Sequence, residues 1–412
     1  MTTEAAKLSQ EALPQGARRG SSWRIDSIDG LRALAMLMVF FWHSWQFAGF
    51  PRLAQQVGGA YIDFDWFALR FDSAVDLFLV ISGFCLFWPL CKSTEAAAKW
   101  QWQDYSVRRV RRMVPPYYMA IIFATLLPQV LVVFYKAIGQ PANWQPLQSF
   151  PDYLTHALFI HTLFVDYWNG INGSLWTLSL EAQFYLMFPC VVLAFRRVGW
   201  HVVWVICGVS VVYRIIAGSI YAGAPEPVPF LVSIFFLGRW MQFAMGMGAA
   251  IIVARWVRSG TRLPSWVGSL MFLAAVGLWF VAAHDPGSSP WHLPVRDTCY
   301  GVAATLAIIA VCGSNTPFRK PFEFRPMVWL GFVSYSVFLI HQPTIWYVSQ
   351  FMHRRGIGSI PHLVLLCTIG FGVVLFIGHV FFKFFEEPFM GAPRHKAPAP
   401  ATPAKQPEAV PA

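Results

Sequence analysis

Ten runs of about twenty mostly apolar residues recur along this 412-residue chain, and nothing else in it restricts the fold so strongly. They lie near 31–50, 73–91, 113–135, 174–195, 199–221, 229–254, 264–283, 297–313, 327–350 and 360–382. Each has the length at which a helix crosses the hydrocarbon of a bilayer. Lipid cannot hydrogen-bond a backbone, so only helices or closed barrels span it. The alternating segments of about ten residues that barrel strands need are missing. The expectation is therefore an all-α fold, a polytopic integral membrane bundle of about ten transmembrane helices. Charged residues make up 12% of the chain, half the ~25% of soluble domains, which agrees.

Net charge is +11, a value that in a soluble protein points to nucleic acid. Its distribution points to topology instead. With a cytoplasmic N-terminus, 22 of the 31 Lys and Arg fall in cytoplasmic segments, six outside and three (Arg32, Arg214, Arg239) within spans. That is the positive-inside pattern, and it places both termini in the cytoplasm. Residues 1–23 are polar, and 391–412 are rich in Pro and Ala, so both are expected to be disordered and 24–390 to form one membrane domain. Between spans three and four, a stretch from Asp152 to Tyr167 has apolar residues at helical spacing but is too short to cross, and reads as an interfacial or re-entrant helix on the outer side. The seven cysteines are scattered, and neither a disulfide framework nor a thiolate metal site is expected.

Ionisable residues at membrane depth are costly and are by default a hypothesis about function. In DGLRALAMLMVFFWHSW, Arg32 and His43 are eleven steps apart, close to three full turns, and so share a face, with His43 roughly 16 Å deeper and expected towards mid-membrane. Histidine is the side chain best suited to moving a proton near neutral pH. Asp72 and Asp76 share a face at the outer start of span two, followed by Ser82 and Gly83, a pair that more often means close helix packing than catalysis. The cluster Arg108, Arg109, Arg111 and Arg112 precedes span three. Positive-inside anchoring explains it, yet Arg109 and Arg112 face one side and could grip phosphates of an anionic cofactor. Glu181 lies about two turns into span four and must be protonated or paired, with His43 or an arginine as the natural partner. His341 falls in span nine, and Glu386 and Glu387 precede Pro388 where span ten ends.

Together these pieces give the resemblance. RIDSIDGLRALAMLMVFFWHSW, VDLFLVISGF, RRVRRMVPPYY, SLWTLSLEAQFYLMFP, VSYSVFLIHQP and the closing EEPF occur in an order that resembles membrane-bound acyltransferase family 3, over about residues 24–390. The resemblance implies O-acyl transfer to a cell-surface polysaccharide, a lipid-linked glycan or a small molecule, in a multi-pass protein of the bacterial inner membrane. It implies acetyl-CoA or another acyl-CoA as donor, no metal and no nucleic acid, with membrane lipid as the surrounding partner. His43 is then the essential histidine with Arg32 beside it, and the reading of the residues adds Glu181 as a catalytic candidate that orients His43 as general base. Arg108, Arg109, Arg112 and Ser82 are the donor-binding candidates, and Asp76, Trp176 and His341 the acceptor-binding ones. Many members carry an extra extracytoplasmic domain; this chain is expected to be a stand-alone form. The alternative is a proton-coupled transporter or flippase using the same polar residues, for which inverted repeats or paired broken helices would be the sign.

Overall fold

The computed structural model describes residues 25–390 except 59, 92–99, 142, 145, 222 and 285–291; the two segments expected to be disordered lie outside the described residues. Besides two short helices, Asp65–Leu69 and Val228–Ile234, its helices are α1 (Asp26–Phe47), α2 (Ala74–Cys91), α3 (Trp102–Ala137), the short α4 (Phe150–Ala157), α5 (Trp176–Val198), α6 (His201–Tyr221), α7 (Phe236–Arg258), α8 (Ser265–Ala283), α9 (His292–Gly313), α10 (Arg325–Arg354) and α11 (Ser359–Phe389). Among the described residues nine helices are long and apolar enough to cross a membrane. They match the last nine of the ten expected spans. The first, α1, has 22 residues and the necessary length, but Asp29, Arg32, His43 and Gln46 dilute its apolar character.

Two helices form the centre. In α2 and α10, 67% of the apolar stretch is buried, against 22% in α3 and α8, whose remaining side chains face outward as a lipid-facing surface would. On α3 that surface includes Ile122, Leu126, Val130 and Val133, stacked at helical spacing. Because lipid is as apolar as leucine, packing inside the bundle depends on close backbone approach. Gly331 of α10 provides it against α1: a Cβ there would stand 1.7 Å from the Asp29 carbonyl oxygen. Gly83 of α2 does the same against α7, where a Cβ would meet the Phe243 carbonyl oxygen at 2.0 Å, so the packing reading of this glycine holds.

The apolar interior falls into two main clusters. One gathers α2, α5, α6, α7 and α9 around Phe84, Phe87, Phe184 and Phe243. The other gathers α1, α3, α10 and α11 around Met36, Phe40, Tyr117, Val337 and Phe382. A cavity opens along the seam between them.

Two expectations about elements change. Helix α3 starts at Trp102, so the arginine cluster sits on the second and third turns of a 36-residue helix that runs straight into the span. The 150–167 stretch is helical only over α4, followed by a single 3₁₀ turn, His161–Leu163. Ser149 caps α4, its hydroxyl accepting from the Asp152 N–H, with Pro151 in the first turn. The loop after α1 holds a small antiparallel hairpin, Ala54–Val57 with Ala60–Asp63, which the sequence did not signal.

Candidate active site

The N-terminal ends of α1, α3 and α10 and the C-terminal ends of α2, α5 and α7 share one face of the bundle, the face that carries the arginines. A cavity of about 360 Å³ leads inward from it. Its wall on α2 runs from Pro89 to Val75, fourteen steps or roughly 21 Å of helix. Of the residues singled out in the sequence, Arg32, Ser82, Arg109, Arg112 and Glu181 all line it, brought together from α1, α2, α3 and α5.

The charges in this cavity are organised. The Arg32 guanidinium donates to Asp29 Oδ1 at 3.1 Å, one helical turn away, and to Cys85 Sγ at 3.3 Å. Glu181 Oε1 accepts from the Ser82 hydroxyl at 2.7 Å and from the Tyr185 hydroxyl in a short bond. Arg109 lies over the Tyr185 ring at 5.4 Å and the Tyr105 ring at 5.9 Å, a cation–π arrangement that aims the guanidinium at the mouth. Arg112 lines the same side, as three-residue spacing requires, whereas Arg108 and Arg111 are exposed away from it. Arg108 therefore leaves the set of candidate donor ligands.

His43 stands elsewhere. It is seventeen steps along α1 from Asp26 and only four from Phe47, roughly 6 Å from the end of the helix away from the arginine face. Its expected partner Glu181 is engaged by Ser82 and Tyr185; His43 Nδ1 instead meets Gln46 Oε1 at 3.1 Å. The amide oxygen can only accept, so Nδ1 carries the proton and Nε2 keeps a lone pair. Beside it is His341, fully buried, ring centroids 5.2 Å apart. His341 Nδ1 donates to the Phe338 carbonyl at 2.6 Å, which leaves its Nε2 as a second, buried lone pair. Neither histidine lines the cavity. Phe338 does, and its ring packs against His341 at 5.3 Å and against Phe78 at 5.8 Å, so one aromatic layer separates the cavity's inner end from the histidine pair.

Two acceptor candidates take other roles. Asp76 is 3% exposed and its Oδ1 accepts from Arg239 at 2.8 Å and from Gln242 at 2.7 Å. Arg239 also meets Asp297 at 3.2 Å, and Arg214 meets Asp297 at 3.1 Å, so Asp76 belongs to a buried ionic lattice joining α2, α6, α7 and α9. Asp76 thus sits inside this lattice and does not line the cavity. Trp176 packs edge-on against Phe230 at 5.6 Å, next to the cavity-lining Thr177 but not itself part of the wall. The sequence reading missed Asp29, Cys85, Tyr185 and Gln46. Three of them had a signal, standing three or four residues from Arg32, Glu181 and His43 on the same helix face. Among the described residues no cluster of three or more His, Cys, Asp or Glu could hold a metal ion.

The family model described as an acyltransferase domain matches residues 25–379. "Putative peptidoglycan O-acetyltransferase YrhL" of Bacillus subtilis is 25% identical over 384 residues, 88% of this chain and 54% of that protein. Peptidoglycan O-acetyltransferase OatA of Listeria monocytogenes is 24% identical over 346 residues, 78% of this chain and 49% of that protein. The chain thus spans about half the length of the curated relatives it matches. No solved structure matches it.

Proposed function

The chain belongs to the acyltransferase family, and from that premise we propose that it moves an acyl group, acetyl in the simplest case, from cytoplasmic acyl-CoA to a hydroxyl of a cell-surface glycan. The names of the relatives support a glycan acceptor and acetyl transfer. The asymmetry of Lys and Arg supports an arginine face in the cytoplasm of a bacterial inner membrane, with 25–390 as one membrane domain. The observation that carries the reading is the cavity itself: three arginines from two helices line an elongated, half-apolar passage. Phosphates cannot leave water without paired cations, whereas a neutral pantetheine arm can enter such a passage. Arg109 and Arg112 hold the charged end at the mouth; Ser82, Glu181 and Tyr185 offer hydrogen-bonding groups to the amides of the arm.

At the far end the chemistry needs a base. His43 Nε2 takes the proton of the acceptor hydroxyl as its oxygen attacks the thioester carbonyl. Collapse of the tetrahedral intermediate breaks the carbon–sulfur bond, and the proton passes to the departing thiolate, giving ester and free CoA. Gln46 holds the ring in the tautomer this requires, and His341 stands beside it as a positioning residue or a contact for a neighbouring hydroxyl. Phe338 has to swing aside for the thioester to reach His43.

Purified full-length protein in lipid nanodiscs, given acetyl-CoA and a glycan fragment, is expected to release CoA and acetylate the glycan. His43→Ala is expected to lower that rate by 10²-fold or more at normal protein abundance, the usual scale of general-base catalysis. Unchanged turnover in His43→Ala would remove the proposed base.

A further inference from the structure

A second recess adjoins the first on the arginine face. Its volume is about 290 Å³, and its walls are Asp26 at the start of α1, Glu323, and Arg325, Val328, Trp329 and Phe332 at the start of α10. Phe332 belongs to both recesses, so they share one wall and open side by side. We infer that this second recess receives the purine nucleotide end of the donor, with the Trp329 indole as stacking platform and Arg325 as the partner of the ribose 3′-phosphate.

The inference rests on the proposed acyl-CoA donor and adds where its largest part goes. A passage of about 360 Å³ lies near the lower end of small-ligand pockets, roughly 300–1,000 Å³, and an arm with its thioester fills it. The nucleotide then has to sit outside the mouth, within reach of the diphosphate held by Arg109 and Arg112. The adjoining recess has the chemistry for it. Trp329 is 43% exposed, and its ring packs towards His379 with centroids 5.9 Å apart and planes tilted by 42°. Stacking on such a ring is tolerant of base identity and needs only a flat π-face. Arg325 is exposed beside it, and a guanidinium grips phosphate in a bidentate fork. The acidic neighbours do not oppose this. Glu323 is already engaged by Arg319 at 2.6 Å and by the Ser27 hydroxyl at 3.0 Å, and Asp26 can accept from the exocyclic amine of adenine.

The test compares three donors in nanodiscs: acetyl-CoA, acetyl-3′-dephospho-CoA and S-acetylpantetheine. Trp329→Leu is expected to raise KM for acetyl-CoA about tenfold with kcat unchanged, the loss of one stacked base, and to leave KM for S-acetylpantetheine where it was. Arg325→Gln is expected to remove the preference for acetyl-CoA over its dephospho form. Adenosine 3′,5′-bisphosphate is expected to inhibit the wild-type protein competitively and Trp329→Phe more weakly than wild type but more strongly than Trp329→Leu. If the variants keep the wild-type KM for all three donors, the recess is only an interfacial tryptophan anchor and the inference fails while the donor reading stands. If the wild-type protein consumes no thioester at all, the donor reading fails and takes this inference with it.

Discussion

His161 lies face to face with His156, ring centroids 3.9 Å apart and planes 4° from parallel, both fully buried in the segment between α3 and α5. Burial, and then the neighbouring imidazole, push the His161 value down to about 3, and burial lowers that of His156 as well. Below pH 6.5 the unfolded chain therefore binds protons that the folded protein refuses. Stability contributed by the pair is complete above that pH and is lost progressively as pH falls towards 3, at up to about 1.4 kcal/mol per pH unit for one histidine. The melting temperature of the purified protein is expected to drop between pH 7.5 and 5, and His161→Phe to flatten that slope; an equal slope in the variant would mean other groups dominate. Single residues also mark how far the sequence could be read. Neighbours on one helix were legible, since spacing alone brings Arg109 next to Arg112, although it did not remove Arg108, which the structure shows exposed off the cavity. Partners across helices were not, because no spacing rule says that Glu181 will meet Ser82, or that Glu386 turns inward to accept from Ser336 while Glu387 turns out to Lys383.

At the scale of elements, the pairing of α1 with α10 depends on the missing side chain of Gly331. Adding a Cβ 1.7 Å from the Asp29 carbonyl oxygen forces the two backbones apart, since no flexible side chain is there to yield. Gly331→Ala is expected to cost about 1–3 kcal/mol, the scale of overpacking in a tight core, read as a lowered melting temperature, and to cost transfer activity with it because Asp29 anchors Arg32. Gly372, whose added Cβ would meet nothing, is the control for an innocent substitution in the same bundle. Existence and order of the spans were legible because hydropathy over about twenty residues is a bulk property. The true start of α3 at Trp102 and the hairpin after α1 were not. The former hides under charges that a helix end tolerates in water, and the latter is too short to leave a pattern.

Across the whole molecule, the arginine-lined cavity and the histidine pair are separate compartments, with the Phe338 ring, packed on Phe78, between them. Under the proposed function, this layer would keep a thioester from water until an acceptor is present. Phe338→Ala is expected to raise acceptor-independent hydrolysis of acetyl-CoA by about tenfold, equivalent to ~1.4 kcal/mol of barrier, with a smaller rise for Phe338→Leu; hydrolysis at the wild-type rate in both would show that the layer is no barrier. The ionic lattice of Asp76, Arg239, Asp297 and Arg214 joins α2, α6, α7 and α9, and α1 and α10 pack on each other across the seam from it. That seam has a consequence for how the protein is made. Helix α1 precedes the other described helices and packs against α10, the Ser349 hydroxyl reaching the Phe47 carbonyl across 302 residues of chain at 2.9 Å. The α1–α10 pairing can therefore close only after most of the described chain between them has been synthesised, so it is among the last contacts the bundle makes.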